Sequence, residues 1–149
     1  MKRTRNIYLY PVKNARMLYK ASPAHKGRLK HAVDFIVPEG ALVRAALGGV
    51  VVDVKQNSSR GGRTRSYDKH GNYIEIRHLH GEYSIYEHIK KKGSLVKRGQ
   101  KVRKGHVIGF SGATGWIAHL GPHLHFDVHY YTGSGKEDYV SLPIAWKKK

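Results

Sequence analysis

The fold and the chemistry of this chain are both indicated by one stretch, Gly121-Pro122-His123-Leu124-His125-Phe126-Asp127-Val128. Two histidines stand two residues apart in an apolar run whose residues favour extended structure. Side chains at positions i and i+2 of a strand point to the same face, about 7 Å apart at about 3.3 Å per residue. His123 and His125 therefore suit one zinc ligand and one neighbouring group for proton transfer.

Strand-like segments dominate the rest of the chain as well. Apolar or alternating runs bounded by turn residues predict strands at 31–37, 41–46, 49–55, 73–78, 82–88 and 106–110. Residues 73–78 and 82–88 flank a turn and predict a hairpin. The polar residues 56–71 indicate a long exposed loop, and 90–104 indicate surface turns with a short strand. Helical periodicity is weak, so the sequence predicts an all-β fold with a compact, mostly antiparallel sheet.

The composition excludes several classes of protein. The chain has 149 residues, which suits a single domain, and no cysteine, which excludes a disulfide scaffold or a cysteine-based zinc site. No apolar run approaches the roughly 20 residues that span a bilayer. Pro11, Lys13 and Arg16 interrupt the segment near the start that most resembles a signal peptide, so no signal peptide is visible.

Charge is unevenly distributed along the chain. The net charge is +18, and no acidic residue precedes Asp34. Such a charge favours polyanionic partners, among them nucleic acid and the anionic polymers of a bacterial envelope. No nucleic-acid-binding motif accompanies the basic residues, so a specific nucleic-acid partner is not expected. We predict a basic N-terminal extension at 1–24, a single domain at 25–149, and a monomer.

Asp34 and His125 are candidate zinc ligands on two different strands. Zinc is bound by histidine nitrogen and aspartate oxygen, and a catalytic site combines three protein ligands with an open fourth position. Asp34 lies in an apolar strand, where a carboxylate must be paired, metal-bound or solvent-facing. The third ligand is either His25 or His31. We favour His25, since a residue three positions before Asp34 points to the opposite face of a regular strand, whereas residues 23–27 can fold back.

His88 and His123 are the candidate catalytic residues, for proton transfer and for polarising the scissile carbonyl. Histidine suits this role because its ordinary pKa lies near 6.5. The sequence contains no His-Glu-x-x-His motif, so a zinc peptidase with a glutamate base on a helix is not indicated. Glu87 directly precedes His88, and strand alternation predicts that it points to the other face as a salt-bridging surface residue.

These residues resemble the lysostaphin-like (LytM-type) zinc metallopeptidases, which cut peptidoglycan cross-links. Residues 32–40 are similar to the strand that carries the aspartate ligand, and 83–89 are similar to the hairpin strand with its Tyr-x-His-Leu motif. Residues 102–115 resemble the Val-x-x-Gly-x-Val-Ile-Gly segment and its Gly-x-Thr-Gly turn. Residues 121–126 give the complete Gly-Pro-His-Leu-His-Phe signature, and the resemblance spans roughly 25–128.

The resemblance implies a fold and a set of site residues. The fold is a mostly antiparallel β-sheet or sandwich of the lysostaphin-like (duplicated hybrid motif) type with an open substrate groove. Asp34 and His125 are implied as zinc ligands, and His88 and His123 as residues that assist the water and the tetrahedral intermediate. Most members carry the first histidine ligand four residues before the aspartate, where this chain has Lys30. His25 fits a variant branch of the family.

The expected function follows from the resemblance. We predict a zinc metalloendopeptidase that hydrolyses peptide cross-links or stem peptides of peptidoglycan through a metal-activated water. Such a substrate implies a location in the cell envelope, periplasmic or extracellular. The alternative is a catalytically inert module of the same fold that binds the cell wall or activates an amidase.

Overall fold

The computed structural model describes residues 2–19 and 25–148, which form fifteen β-strands and three short 3-10 helices. The strands are β1 (Ile7–Tyr8), β2 (Arg16–Tyr19), β3 (Val33–Ile36), β4 (Leu42–Arg44), β5 (Gly49–Lys55), β6 (Gly61–Gly62), β7 (Tyr73–Arg77), β8 (Tyr83–Glu87), β9 (Ile89–Ser94), β10 (Lys101–Val102), β11 (Val107–Ser111), β12 (Gly115–Trp116), β13 (Leu124–Tyr131), β14 (Tyr139–Ser141) and β15 (Ala145–Trp146). The 3-10 helices are η1 (Gly27–Leu29), η2 (Arg65–His70) and η3 (Leu79–Gly81).

One antiparallel sheet, the main sheet, carries most of these strands. Its order is β10-β5-β7-β8-β13-β3-β2, and β14 pairs with the far end of β13. The predicted hairpin is present as β7 and β8, joined through η3. β13 lies between β8 and β3, in a register that sets His125 opposite both Glu87 and Asp34. The prediction of an all-β, mostly antiparallel fold is confirmed.

A second antiparallel sheet, β4-β11-β9, covers one face of the main sheet. A single apolar cluster contains residues of both sheets, with Phe126 of β13 and Ile108 of β11 fully buried in it. Along β13 the alternate residues Leu124, Phe126 and Val128 enter this core. His125, Asp127 and His129 consequently lie on the other face of the strand. The main sheet thus has one apolar face and one polar face.

The N-terminal residues contribute strands to the same fold. β1 pairs in parallel with β15, and β2 adds to the edge of the main sheet beside β3. The basic segment predicted at 1–24 therefore packs onto the domain wherever it is described; residues 1 and 20–24 lie outside the described part. None of the helices in the described ranges is long and apolar enough to cross a membrane.

Two segments are more regular than the sequence indicates. Residues 56–71 were expected to be a long loop, but they contain β6 and η2. β6 pairs in parallel with β12. The backbone of β6 lies so close to the residues before β12 that a Cβ at Gly61 would collide with the carbonyl oxygen of Ala113. Glycine, which lacks a Cβ, makes this close contact possible. The polar composition of residues 56–71 does not by itself predict the contact. Residues 90–104 contain most of β9 and all of β10.

Candidate metal centre and active site

Three of the predicted metal ligands meet at one end of the polar face. The Nε2 atom of His25 lies 3.2 Å from Nδ1 of His125 and 3.2 Å from Oδ1 of Asp34. The third edge of this triangle, from His125 Nδ1 to Asp34 Oδ1, is 3.5 Å. All three residues are buried. The antiparallel register of β3 and β13 brings Asp34 and His125 together, and the chain before η1 adds His25.

This triangle has the dimensions of a zinc site. Zinc bonds of about 2.0–2.2 Å in tetrahedral geometry separate neighbouring ligand atoms by about 3.3–3.6 Å. Among the described residues, no group donates a well-oriented hydrogen bond to either carboxylate oxygen of the buried Asp34. Buried polar atoms are normally satisfied, so these two oxygens indicate a missing partner. The residues therefore fit a zinc ion.

The charges around the triangle also favour a cation. Burial alone would lower the pKa of His125, but the carboxylates of Glu87, Asp127 and Asp34 outweigh it and raise this pKa well above its ordinary value. Burial would likewise raise the pKa of Asp34, but the imidazoles of His125 and His25 hold it well below its usual range. Positive charge is thus stabilised at this point of the protein.

Glu87 belongs to the site, which corrects the prediction that it is a salt-bridging surface residue. Its Oε2 atom lies 3.2 Å from Nε2 of His125, the nitrogen that faces away from Asp34 and His25. Glu87 pairs directly with His125 across β8 and β13, so both side chains share the polar face. His88 leaves the strand with a φ of 71°, and its ring therefore reaches the site as well. Strand alternation fails at the one residue where β8 ends.

A buried chain of polar contacts continues behind His125, and local sequence patterns did not predict it. Oδ2 of Asp127 lies 3.5 Å from Nε2 of His125, and Oδ1 of Asp127 accepts a 2.6 Å hydrogen bond from Nδ1 of His129. Nε2 of His129 bonds to Oε2 of Glu75 at 2.7 Å, and the hydroxyl of Tyr131 donates to the same oxygen at 2.6 Å. The polar residues at every second position after His125 were the available signal.

The two predicted catalytic histidines adjoin the triangle with defined tautomers. Nδ1 of His88 donates to the backbone carbonyl of Thr114 at 2.6 Å, and Nδ1 of His123 donates to that of Gly121 at 2.8 Å. A carbonyl oxygen only accepts, so each Nδ1 carries the hydrogen and each Nε2 keeps a lone pair. Nε2 of His123 lies 3.5 Å from Oδ1 of Asp34, and the rings of His88 and His123 are 4.5 Å apart.

Both catalytic candidates are neutral at neutral pH. Burial, together with the nearby rings of His123 and His125, lowers the pKa of His88 to about 3. Burial also lowers the pKa of His123, although the carboxylate of Asp34 opposes the shift. A buried neutral imidazole with a bare Nε2 can accept a proton.

His31, the alternative ligand, is placed elsewhere. The two clusters of potential metal-binding atoms among the described residues are His25 with Asp34 and His125, and Glu87 with His125 and Asp127. His31 belongs to neither. Its backbone N–H donates to the hydroxyl of Ser141 at 3.0 Å, which ties this position to β14.

A groove of about 720 Å³ runs along the polar face of the main sheet and reaches the site at Glu87, while the triangle itself does not line it. Glu75, Glu87 and Tyr73 contribute to it from the sheet, and Lys26 and Arg28 from η1 and the residue before it. Seven of the ten acidic residues of this strongly basic chain lie along the groove or in the metal-binding clusters: Asp34, Asp53, Asp68, Glu75, Glu87, Asp127 and Glu137. The groove therefore differs in charge from the remaining surface.

Comparison with known proteins identifies the family. The model of peptidase family M23 matches residues 28–139, and the chain belongs to this family. It is 39% identical over 98 residues to the peptidoglycan DD-endopeptidase ShyA of Vibrio cholerae, a match that covers 66% of this chain and 20% of that protein. It is 37% identical over 111 residues to the DD-carboxypeptidase/endopeptidase Mpg of Neisseria meningitidis, covering 73% of this chain and 22% of that protein.

Solved structures agree with this assignment. A zinc-containing peptidase from Vibrio cholerae is similar with a TM-score of 0.61 and 31% identity, over 83% of this chain and 36% of that one. The catalytic domain of lysostaphin from Staphylococcus simulans shares the fold, with a TM-score of 0.61 and 24% identity over 86% of this chain and 89% of that one. The predicted lysostaphin-like fold and family are confirmed. The chain spans about a fifth of the length of the curated relatives it matches.

Proposed function

We propose that this chain is a zinc-dependent endopeptidase that hydrolyses peptide bonds in the stem peptides or cross-links of bacterial peptidoglycan. The observation that carries the proposal is the buried triangle of ligand atoms from His25, Asp34 and His125, with edges of 3.2–3.5 Å. Zinc as the metal is supported by the zinc-containing peptidase of similar structure. Peptidoglycan as the substrate is supported by the relatives that carry the name DD-endopeptidase.

In this proposal Nε2 of His25, Oδ1 of Asp34 and Nδ1 of His125 would hold the metal, which gives the three protein ligands that are typical of a catalytic zinc site. Bound zinc supplies Lewis acidity, which polarises the scissile carbonyl and lowers the pKa of a water molecule. Glu87 and Asp127 contact the outer nitrogen of His125, so they fix its orientation and favour its binding to the metal through Nδ1.

His88 and His123 handle the protons. Each is neutral and presents Nε2, so either can take the proton of the attacking water. Once protonated, the imidazolium stabilises the developing oxyanion and then donates the proton to the leaving amine nitrogen. Their backbone hydrogen bonds through Nδ1 hold both rings in one orientation during these steps.

We also propose that the protein acts as a monomer in the cell envelope, in the periplasm or outside the cell. The location is supported by its peptidoglycan-acting relatives and by its net charge of +18, which attracts anionic envelope polymers. The monomeric state stays a prediction.

The test measures bound zinc per chain and peptidoglycan hydrolysis on the same samples. We expect close to one zinc per chain in the wild type and a chelator-sensitive release of soluble fragments. His25→Ala should lose both, whereas His31→Ala, a matched removal of a nearby imidazole, should keep both. His88→Gln and His123→Gln should retain zinc and lose most of the hydrolysis.

Two results would contradict the proposal. Zinc binding lost in His31→Ala but kept in His25→Ala would leave the chemistry intact and make the ligand assignment wrong. A wild-type chain that neither binds zinc nor cleaves peptidoglycan after metal addition would instead be an inert cell-wall-binding or activator module.

A further inference from the structure

Arg28 occupies a fixed position in the groove that the proposed chemistry does not use. Its guanidinium Cζ lies 4.5 Å from the centre of the Tyr139 ring. Tyr139 in turn stacks on His129 with ring centres 3.9 Å apart, and His129 stacks on Tyr83 at 5.9 Å. A guanidinium held against an aromatic face at the end of such a stack has little rotational freedom.

The hydrogen-bonding capacity of this guanidinium is not fully used. Nη1 of Arg28 is buried and has no hydrogen-bond acceptor among the described residues. The nearest carboxylate oxygen, Oε1 of Glu137, lies 3.8 Å from Nη2, which is longer than a hydrogen bond. The side chain of Glu137 is 82% exposed, so it can turn into solvent at little cost. A buried N–H without an acceptor is unfavourable, and the ligand that best matches two parallel guanidinium donors is a carboxylate.

Arg28 also lies close to the metal-binding cluster. Arg28 follows His25 by three residues and lines the groove together with Glu87. Oε2 of Glu87 in turn lies 3.2 Å from Nε2 of His125. A peptide that lies in the groove beside Glu87 therefore lies beside the guanidinium as well. The exposed Glu137 beside it shows that a carboxylate can approach from the solvent side.

We propose that Arg28 is a specificity-determining residue that binds a free carboxylate of the substrate in the groove. This inference rests on the proposed function, because the stem peptides of peptidoglycan carry free carboxylates along their length and at their ends. The carboxylate accepts two N–H donors of the guanidinium and displaces Glu137. Substrates in which this carboxylate is amidated bind more weakly, since a neutral amide loses the charge-assisted hydrogen bonds.

The test measures binding to the zinc-loaded full chain by calorimetry. The probes are a stem tetrapeptide with free carboxylates and the same peptide with its carboxylates converted to methylamides. We expect the wild type to bind the free acid at least about tenfold more tightly than the methylamide, as a hydrogen bond to a charged group predicts. Arg28→Gln should abolish most of this preference. Lys26→Gln removes the same charge from an exposed neighbour in the groove and should preserve it.

A second variant keeps the test decisive if Arg28→Gln unfolds. Glu137→Gln removes the competing carboxylate at an exposed position and should tighten binding of the free acid up to about fivefold, with no effect on the methylamide. Equal affinities of the wild type for both peptides, or a preference that survives in Arg28→Gln, would overturn the inference. The proposed function is tested separately by the zinc content and the peptidoglycan hydrolysis of the wild type. The ratio of affinities for the two peptides does not depend on cleavage.

Discussion

At the scale of single residues, His125 is engaged through both ring nitrogens. Nδ1 faces the ligand triangle, while Nε2 faces the carboxylates of Glu87 and Asp127 at 3.2 and 3.5 Å. A carboxylate beside the outer nitrogen holds the N–H tautomer there and makes the inner nitrogen a stronger donor to a metal. The affinity of the site for zinc should thus depend on residues that never contact the ion.

Glu87→Gln is expected to weaken zinc binding about 10- to 100-fold, the usual cost of removing an outer-shell partner. The amide keeps the size of the side chain but loses the charge beside His125. Competition with a chromophoric chelator measures the zinc dissociation constant directly. Asp68→Asn changes an exposed carboxylate along the same groove and is the control. An equal loss of affinity in both variants would indicate a general charge effect instead of a contact with His125.

At the scale of elements, β13 organises both faces of the main sheet. Phe126 and Val128 anchor one face in the core, and His125, Asp127 and His129 carry the polar chain on the other. His129 lies between the carboxylates of Asp127 and Glu75 and between two tyrosine rings. This buried cation links β13 to β7 and adds to the stability of the sheet.

The contribution of His129 should depend on pH. Burial lowers the pKa of this histidine, but Asp127 and Glu75 outweigh it and raise the pKa to about 9, from 6.5 in an unfolded chain. The folded state therefore holds a proton that the unfolded state releases above pH 6.5. Stability from this group is complete below pH 6.5 and is lost as pH rises through about 9, by on the order of 3 kcal/mol in total.

Urea denaturation between pH 6 and pH 10 measures this loss. We expect the free energy of unfolding of the wild type to fall across this range, and that of His129→Gln to be lower at pH 6 and much flatter. Parallel curves for the two proteins would show that another group is responsible.

The elements were largely predictable because local patterns specify them. Alternation predicted the hairpin of β7 and β8, and the His-x-His spacing put His125 on a face with other polar groups. The register between distant strands is not encoded in any local pattern, so the pairing of Glu87 with His125 was missed. The positive φ of His88 also broke the alternation used to place Glu87. The stacking of Arg28 on Tyr139 joins residues that are 111 positions apart, and the sequence around neither residue predicts this contact.

At the scale of the whole molecule, charge is separated between surfaces. The sequence contains no acidic residue between Glu87 and Asp127, and this stretch supplies β9, β10 and β11. Its exposed basic side chains form no ion pair with any carboxylate of the described residues: Lys90, Lys91, Lys92, Lys97, Arg98, Lys101, Arg103 and Lys104. The carboxylates instead gather along the groove. Attraction to an anionic polymer should therefore come from this basic surface.

Replacing Lys90, Lys91 and Lys92 together by glutamine should reduce retention on an anionic cell-wall polymer and make it less sensitive to salt. Ionic attraction between exposed charges is screened beyond about 8–10 Å at 0.1–0.15 M salt, so elution by a sodium chloride gradient measures it. The control is the replacement of the exposed Lys2, Arg3 and Arg5 by glutamine, which removes the same amount of charge from another part of the surface. An identical shift in both triple variants would mean that net charge, and not this surface, governs retention.

The position of β13 between β8 and β3 also determines when the ligand triangle can form during synthesis. His25 and Asp34 precede their partner His125 in the chain, Asp34 by about ninety residues. Non-local strands pair only after the intervening chain has been made. A nascent chain therefore cannot assemble the triangle before β13 has left the ribosome. Any activity that depends on the triangle is absent until that moment.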